Sequence, residues 1–205
     1  MTTTGFSPLL IARLLTKPSA VFQQLADSRP PAAEVFFKLA IWLGLLPPVF
    51  AYLGASRFGW NLGAIEPLFL PSPVLAGISF AYFLTLLFGF VTTALVSQWM
   101  ATTYGARHSL GIHFAMITVV GAPLAVGSVI HLYPHVFLNV VVLVPALIWS
   151  MFLLYRGLPI VLRINPQRGM LMASALIAYL LVAAVSLLGL TVMLWGLGIG
   201  PRVGI

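Results

Sequence analysis

Long apolar stretches, broken at a few points by charge, glycine and proline, form the dominant pattern of this chain. The first is uncharged from Leu39 to Ser56 and predicts a membrane-crossing helix over about 37–56, because roughly 20 apolar residues suffice to cross a bilayer. Residues 57–73, with Arg57, Gly59, Gly63, Glu66, Pro67, Pro71 and Pro73, read as a loop. A second span follows over about 74–100. The next uncharged stretch, His108 to Tyr155, is too long for one helix at about 1.5 Å per residue. Its only polar, proline-containing interruption is His131-Leu132-Tyr133-Pro134-His135, which predicts a tight turn between spans of about 111–131 and 136–155. Arg156 to Arg168 then reads as a basic connector with Pro159, Asn165 and Pro166. The last span covers about 169–195 and is ended by Gly196, Gly198, Gly200 and Pro201.

Ahead of the spans, Phe6 to Ala26 mixes Leu9, Leu10, Leu14, Val21, Phe22 and Leu25 with Arg13 and Lys17. Phe6, Leu10 and Leu14 share one helical face, and Pro18 suits the first position of a second short helix. Residues 1–35 are therefore expected to be a cytoplasmic amphipathic segment lying at the bilayer surface. The fold class is all-α: a polytopic membrane protein of five transmembrane helices, forming one membrane domain over 1–205.

Composition removes the competing classes. Of 205 residues, 61% are hydrophobic and 6% charged, against about 25% charged in soluble domains, so a water-facing surface cannot be built. The net charge of +7 is scattered at the edges of apolar runs, whereas nucleic-acid binding needs a clustered basic face. The absence of cysteine excludes disulfides, thiolate chemistry and cysteine-based zinc sites. Met1-Thr2-Thr3-Thr4 lacks the basic start of a signal peptide, so the first span is expected to serve as its own insertion signal. Counting Lys and Arg by side puts Arg13, Lys17, Arg29, Lys38, Arg107, Arg156, Arg163 and Arg168 together, against Arg57 and Arg202. The more basic side faces the cytoplasm, which predicts the N-terminus inside and the C-terminus outside.

Within the spans, Pro47, Pro48 and Pro123 are candidate kinks, since proline removes a backbone donor and clashes with the carbonyl four residues back. In the second span Gly77, Ala81, Thr85, Gly89, Thr93 and Ser97 recur every fourth residue and form a ridge of small side chains; Gly121 and Ala125 repeat the pattern in the third. Such ridges let helices approach closely in lipid. They serve contacts within the bundle, or contacts with a second copy of the chain or another membrane protein. Arg13, Lys17, Lys38, Arg156, Arg163 and Arg168 form a candidate lipid-headgroup face, each basic group near anionic lipid being worth about 1 kcal/mol. Ordinary positive-inside anchoring would give the same distribution.

Catalytic chemistry finds no support. The only acids, Asp27, Glu34 and Glu66, lie outside the spans, so neither a carboxylate pair nor a Ser-His-Asp set can be assembled. No phosphate-cradling loop occurs. His131 and His135 flank the outer turn, but Pro134 opposes a regular helix there and no third ligand lies nearby, so no metal or cofactor is expected. Gln98, His113 and Asn139, near span ends, suit interhelical hydrogen bonds or interfacial anchoring.

The Pro18-led amphipathic start, the Pro47-Pro48 first span, Gly121-Ala122-Pro123-Leu124-Ala125 in the third and Tyr155-Arg156-Gly157-Leu158-Pro159 after the fourth occur in an order that resembles the Yip family. These are membrane proteins named for interaction with Ypt/Rab GTPases, and the resemblance is to their short bacterial inner-membrane branch. It implies five spans, a cytoplasmic N-terminus and the bacterial inner membrane. The GTPase role does not carry over, because the region before the first span is much shorter than in the eukaryotic members. The expectation is a non-enzymatic membrane-organising or partner-binding scaffold, working on the lipid bilayer and on membrane-protein partners. The alternative is a channel or carrier subunit for a small or lipid-like solute.

Overall fold

The computed structural model describes residues 8–60 and 66–197, and among these five helices are long and apolar enough to cross a membrane. Phe6, Gly63, Gly198, Gly200, Pro201 and Arg202, which entered the sequence reading, lie outside the described residues, as does the Met1–Thr4 start. Two short helices come first, α1 (Pro8–Thr16) and α2 (Pro18–Ser28). The spans are α3 (Ala32–Phe58), α4 (Ser72–Thr103), α5 (Leu110–Leu132), α6 (Val136–Val161) and α7 (Pro166–Gly196).

Local chemistry sets the boundaries. Pro18 opens α2, Arg29 ends it in the left-handed conformation (φ 41°), and Pro30-Pro31 prevent its continuation. Pro31 is extended and starts α3. Near its start α3 contains a π-turn over Phe36–Ala40, in which the Ile41 amide bonds the Phe36 carbonyl. Gly105 at φ 83° closes α4. The Asn165 side chain accepts the Gln167 amide at 2.9 Å and caps the start of α7.

Two spans run further than their hydropathy alone suggests. The first begins at Ala32 rather than near residue 37, because Glu34 and Lys38 pair one turn apart (2.8 Å) and are carried on its end. The fourth continues to Val161, so Arg156 and Pro159 lie on helix rather than in a connector.

α5 is the central helix. All of its residues from Gly111 to Val119 are buried, and it packs against α3, α4 and α6. α7 lies at the periphery against α6 and α4. α1 and α2 cover the end of the bundle where α3 starts and α6 finishes, here termed the basic end. α2 lies across α6, with Phe22 and Leu14 fully enclosed.

Lipid tails are as apolar as leucine, so the spans gain little by burial alone and must pack closely. Four glycines supply that closeness. A Cβ on Gly54 of α3 would stand 2.0 Å from the His131 carbonyl oxygen, and one on Gly111 of α5 would stand 2.0 Å from that of Pro30. A Cβ on Gly157 of α6 would enter the Phe22 ring (2.7 Å), and one on Gly169 of α7 would meet Pro159 (2.9 Å).

Candidate lipid and partner surfaces

The basic end is built by docking α1 and α2 onto the spans. α1 turns about 100° per residue, which sets Leu10 and Leu14 on one side and Leu9, Ala12 and Leu15 on the other. The first pair is buried in the bundle, while Leu9 (67%) and Leu15 (56%) are exposed. The helix is thus apolar on both faces, with Arg13 and Lys17 at its basic edge.

α2 is tied down by polar contacts as well as by Phe22. The Arg156 Nε donates to Ser19 Oγ at 2.7 Å, and Arg163 pairs with Asp27. Arg156 also lies 6.0 Å from the centre of the Phe152 ring. Of the six residues expected to face headgroups, Lys38, Arg156 and Arg163 therefore have partners inside the protein. Arg13, Lys17 and Arg168 have none among the described residues, and Lys17 and Arg168 are exposed.

The ridge on α4 is divided along its length. Thr93 and Ser97, toward the basic end, are buried against the neighbouring helices. Gly77, Ala81 and Thr85 are exposed and Gly89 half-exposed; a Cβ added to Gly77 or Gly89 would meet nothing within 4 Å. The Thr85 hydroxyl bonds back to the Ala81 carbonyl (2.8 Å) and leaves the strip smooth. In α5, Gly121 lies under the Phe90 ring of α4 (2.8 Å from an added Cβ) and Ala125 is buried. Pro47 and Pro48 are buried inside Ile41–Phe58 and free the carbonyls of Leu43 and Gly44 from helical bonding. Pro123 lies inside Leu110–Gly127.

Polar pins join the elements. Ser97 Oγ and His113 Nδ1 are 2.9 Å apart and fully buried between α4 and α5. Gln98 donates to the His108 carbonyl at 3.2 Å, and the His108 Nε2–H donates to the Leu162 carbonyl at 2.9 Å. Tyr155 and Ser174 hydroxyls, 2.9 Å apart, link α6 to α7. At the opposite end His131 Nδ1 lies 2.5 Å from Asn139 Oδ1, and Asn139 Nδ2 donates to the His135 carbonyl at 2.9 Å. The His131–Asn139 pair lines an open cleft of about 500 Å³ with Trp60, Ser79 and Tyr82. Asn139 and His131 stand out separately in the sequence, and nothing in their spacing signals the cleft, which needs α3, α4, α5 and α6 together.

Five apolar spans, the third of them buried at the centre, with two short helices docked on one end, define a polytopic membrane protein of the α-helical class. The sequence matches the Yip1 domain over residues 12–188, from α1 to most of α7. The chain belongs to the Yip1-domain family. It is 29% identical over 187 residues to Inner membrane protein YohC of Escherichia coli strain K12, a match covering 90% of this chain and 95% of that protein. The same extent of similarity holds for the protein of that name in the O6:H1 strain CFT073. No solved structure matches the chain. It is accordingly a multi-pass protein of the inner membrane.

Proposed function

We propose that this protein is a non-enzymatic membrane organiser that holds the lipid interface at its basic end and binds a membrane-protein partner along α4. The observation that carries the reading is the two-sided α1: its inner face is taken by the bundle, and its outer face, Leu9, Ala12 and Leu15, stays uncovered beside Arg13 and Lys17. A helix with apolar residues and cations at one level suits the boundary of headgroups and acyl chains. The basic end is cytoplasmic in this reading, following the distribution of Lys and Arg. The uncovered half of the α4 ridge, Gly77 to Gly89, supplies a smooth strip for another helix.

A photo-crosslinking side chain at Ala81 tests the partner-binding half in native membranes. A discrete protein adduct, either with a second copy or with one partner, is expected, and Gly89→Leu should reduce it several-fold. Adducts with lipid alone, unchanged by Gly89→Leu, would remove the partner-binding claim.

The alternative, a channel or carrier subunit for a small or lipid-like solute, draws on the cleft between α3, α4, α5 and α6. It requires protein-dependent flux in liposomes. Fluxes equal to those of protein-free vesicles across a broad solute panel would dispose of it.

A further inference from the structure

The cleft at the end of the bundle remote from α1 combines a polar head with an apolar floor. Leu75, Ile78 and Tyr82 follow one another along one face of α4, and Val136 and Val140 along one face of α6. From Leu75 to Tyr82 the helix advances roughly 10 Å, so the floor runs from the span ends well into the hydrocarbon. The polar pair lies at the span ends themselves, where α5 turns into α6. The volume of about 500 Å³ falls within the range of ligand sites.

Hydrogen bonding determines what the polar head offers. The His135 carbonyl can only accept, so the atom of Asn139 facing it at 2.9 Å is the amide nitrogen. The Asn139 Oδ1 is then an acceptor toward His131, and the His131 Nδ1 must carry the proton it receives. In the neutral ring this leaves Nε2 as a lone-pair acceptor. No described residue donates to it, and the ring is half-exposed at the cleft wall. An acceptor on the wall of an otherwise apolar cleft suits an N–H or O–H from a molecule whose remainder is apolar.

We propose that this cleft binds one membrane phospholipid whose headgroup carries an N–H or O–H donor. The His131 Nε2 accepts the headgroup donor, Asn139 holds the ring in the required tautomer as a positioning residue, and an acyl chain lies along the α4 and α6 floor. This goes beyond the scaffold reading and is read by lipid binding alone, so a failure of partner capture and a failure of this site are separate results.

Native mass spectrometry of the purified full chain in detergent, titrated with dioctanoyl-phosphatidylglycerol, -phosphatidylethanolamine and -phosphatidylcholine, tests it. The glycerol and ethanolamine headgroups have donors and the choline headgroup has none. Both donor lipids should bind about tenfold tighter than the choline lipid, the scale of one hydrogen bond left unmade. His131→Phe should bring all three to the choline level. Val140→Trp, which fills the floor and keeps both His131 and Asn139, should weaken all three together. Equal affinity for the three lipids in the unaltered protein would overturn the site, as would tight binding of the anionic glycerol lipid with ethanolamine equal to choline, which marks charge rather than donation. Unchanged binding in a folded Val140→Trp would also overturn it.

Discussion

At the scale of single residues, the bundle distinguishes glycines that touch backbone from glycines that face outward. Gly54 lies so close to the His131 carbonyl that the smallest possible side chain would stand 2.0 Å from it, and neither partner is the movable end of a side chain. Overpacking of this kind costs about 1–3 kcal/mol and more where backbone must shift. Gly54→Ala should therefore lower the thermal midpoint of the detergent-solubilised protein by several degrees, with loss of the monodisperse peak on size exclusion. Gly77→Ala, with open space around it, should stay within about 0.5 kcal/mol of the parent. Equal midpoints for the two variants would show that α3 and the end of α5 are not in backbone contact. The contrast also explains a limit of the sequence. A repeat of small residues every fourth position is visible in α4, whereas Gly54, Gly111 and Gly157 are each single glycines, chosen by a neighbour remote in the chain: His131, Pro30 or Phe22. Spacing along one helix cannot report a partner on another.

At the scale of elements, α2 is the one whose attachment can be apportioned. Phe22 has no exposed surface and lies on Gly157, while the Arg163–Asp27 pair is exposed on both sides (57% and 70%). A fully buried aromatic truncated to alanine costs about 3–5 kcal/mol, but an exposed ion pair contributes at most about 1 kcal/mol. Phe22→Ala should release α1 and α2 from the bundle, seen as fast amide exchange across residues 8–28 with the spans unchanged. Arg163→Gln should leave that exchange nearly as slow as in the parent. Fast exchange in Arg163→Gln with slow exchange in Phe22→Ala would mean that charge rather than packing holds α2. The amphipathic start was legible as helix, because Pro18 and the Leu10–Leu14 spacing mark it. Which surface would take its apolar face was not, since lipid and a glycine-lined helix end make the same demand on the sequence. The π-turn at Phe36–Ala40 left no local signature in composition either.

At the scale of the whole molecule, an odd number of spans puts the start of α3 and the end of α7 on opposite sides of the membrane. That count was legible because hydrocarbon imposes a length and a polarity on every crossing, and the only ambiguous stretch was divided by a single proline-bearing turn. Side-to-side orientation rests instead on a weaker physical bias, the retention of Lys and Arg on the cytoplasmic face. The chain contains no cysteine, so single cysteines report sidedness without background. Gln24→Cys on the exposed face of α2 and Glu66→Cys between α3 and α4 stand at opposite ends of the bundle, and both positions are open to solvent. In intact spheroplasts a membrane-impermeant maleimide should label Glu66→Cys and spare Gln24→Cys, with the pattern equalised once the membrane is permeabilised. Reversed labelling would turn the molecule over in the bilayer. The lipid cleft would then open on the cytoplasmic side and the docked α1–α2 layer on the outer one. Labelling of both positions before permeabilisation would mean an even number of crossings between them, which α3 as a single span of Ala32–Phe58 does not permit.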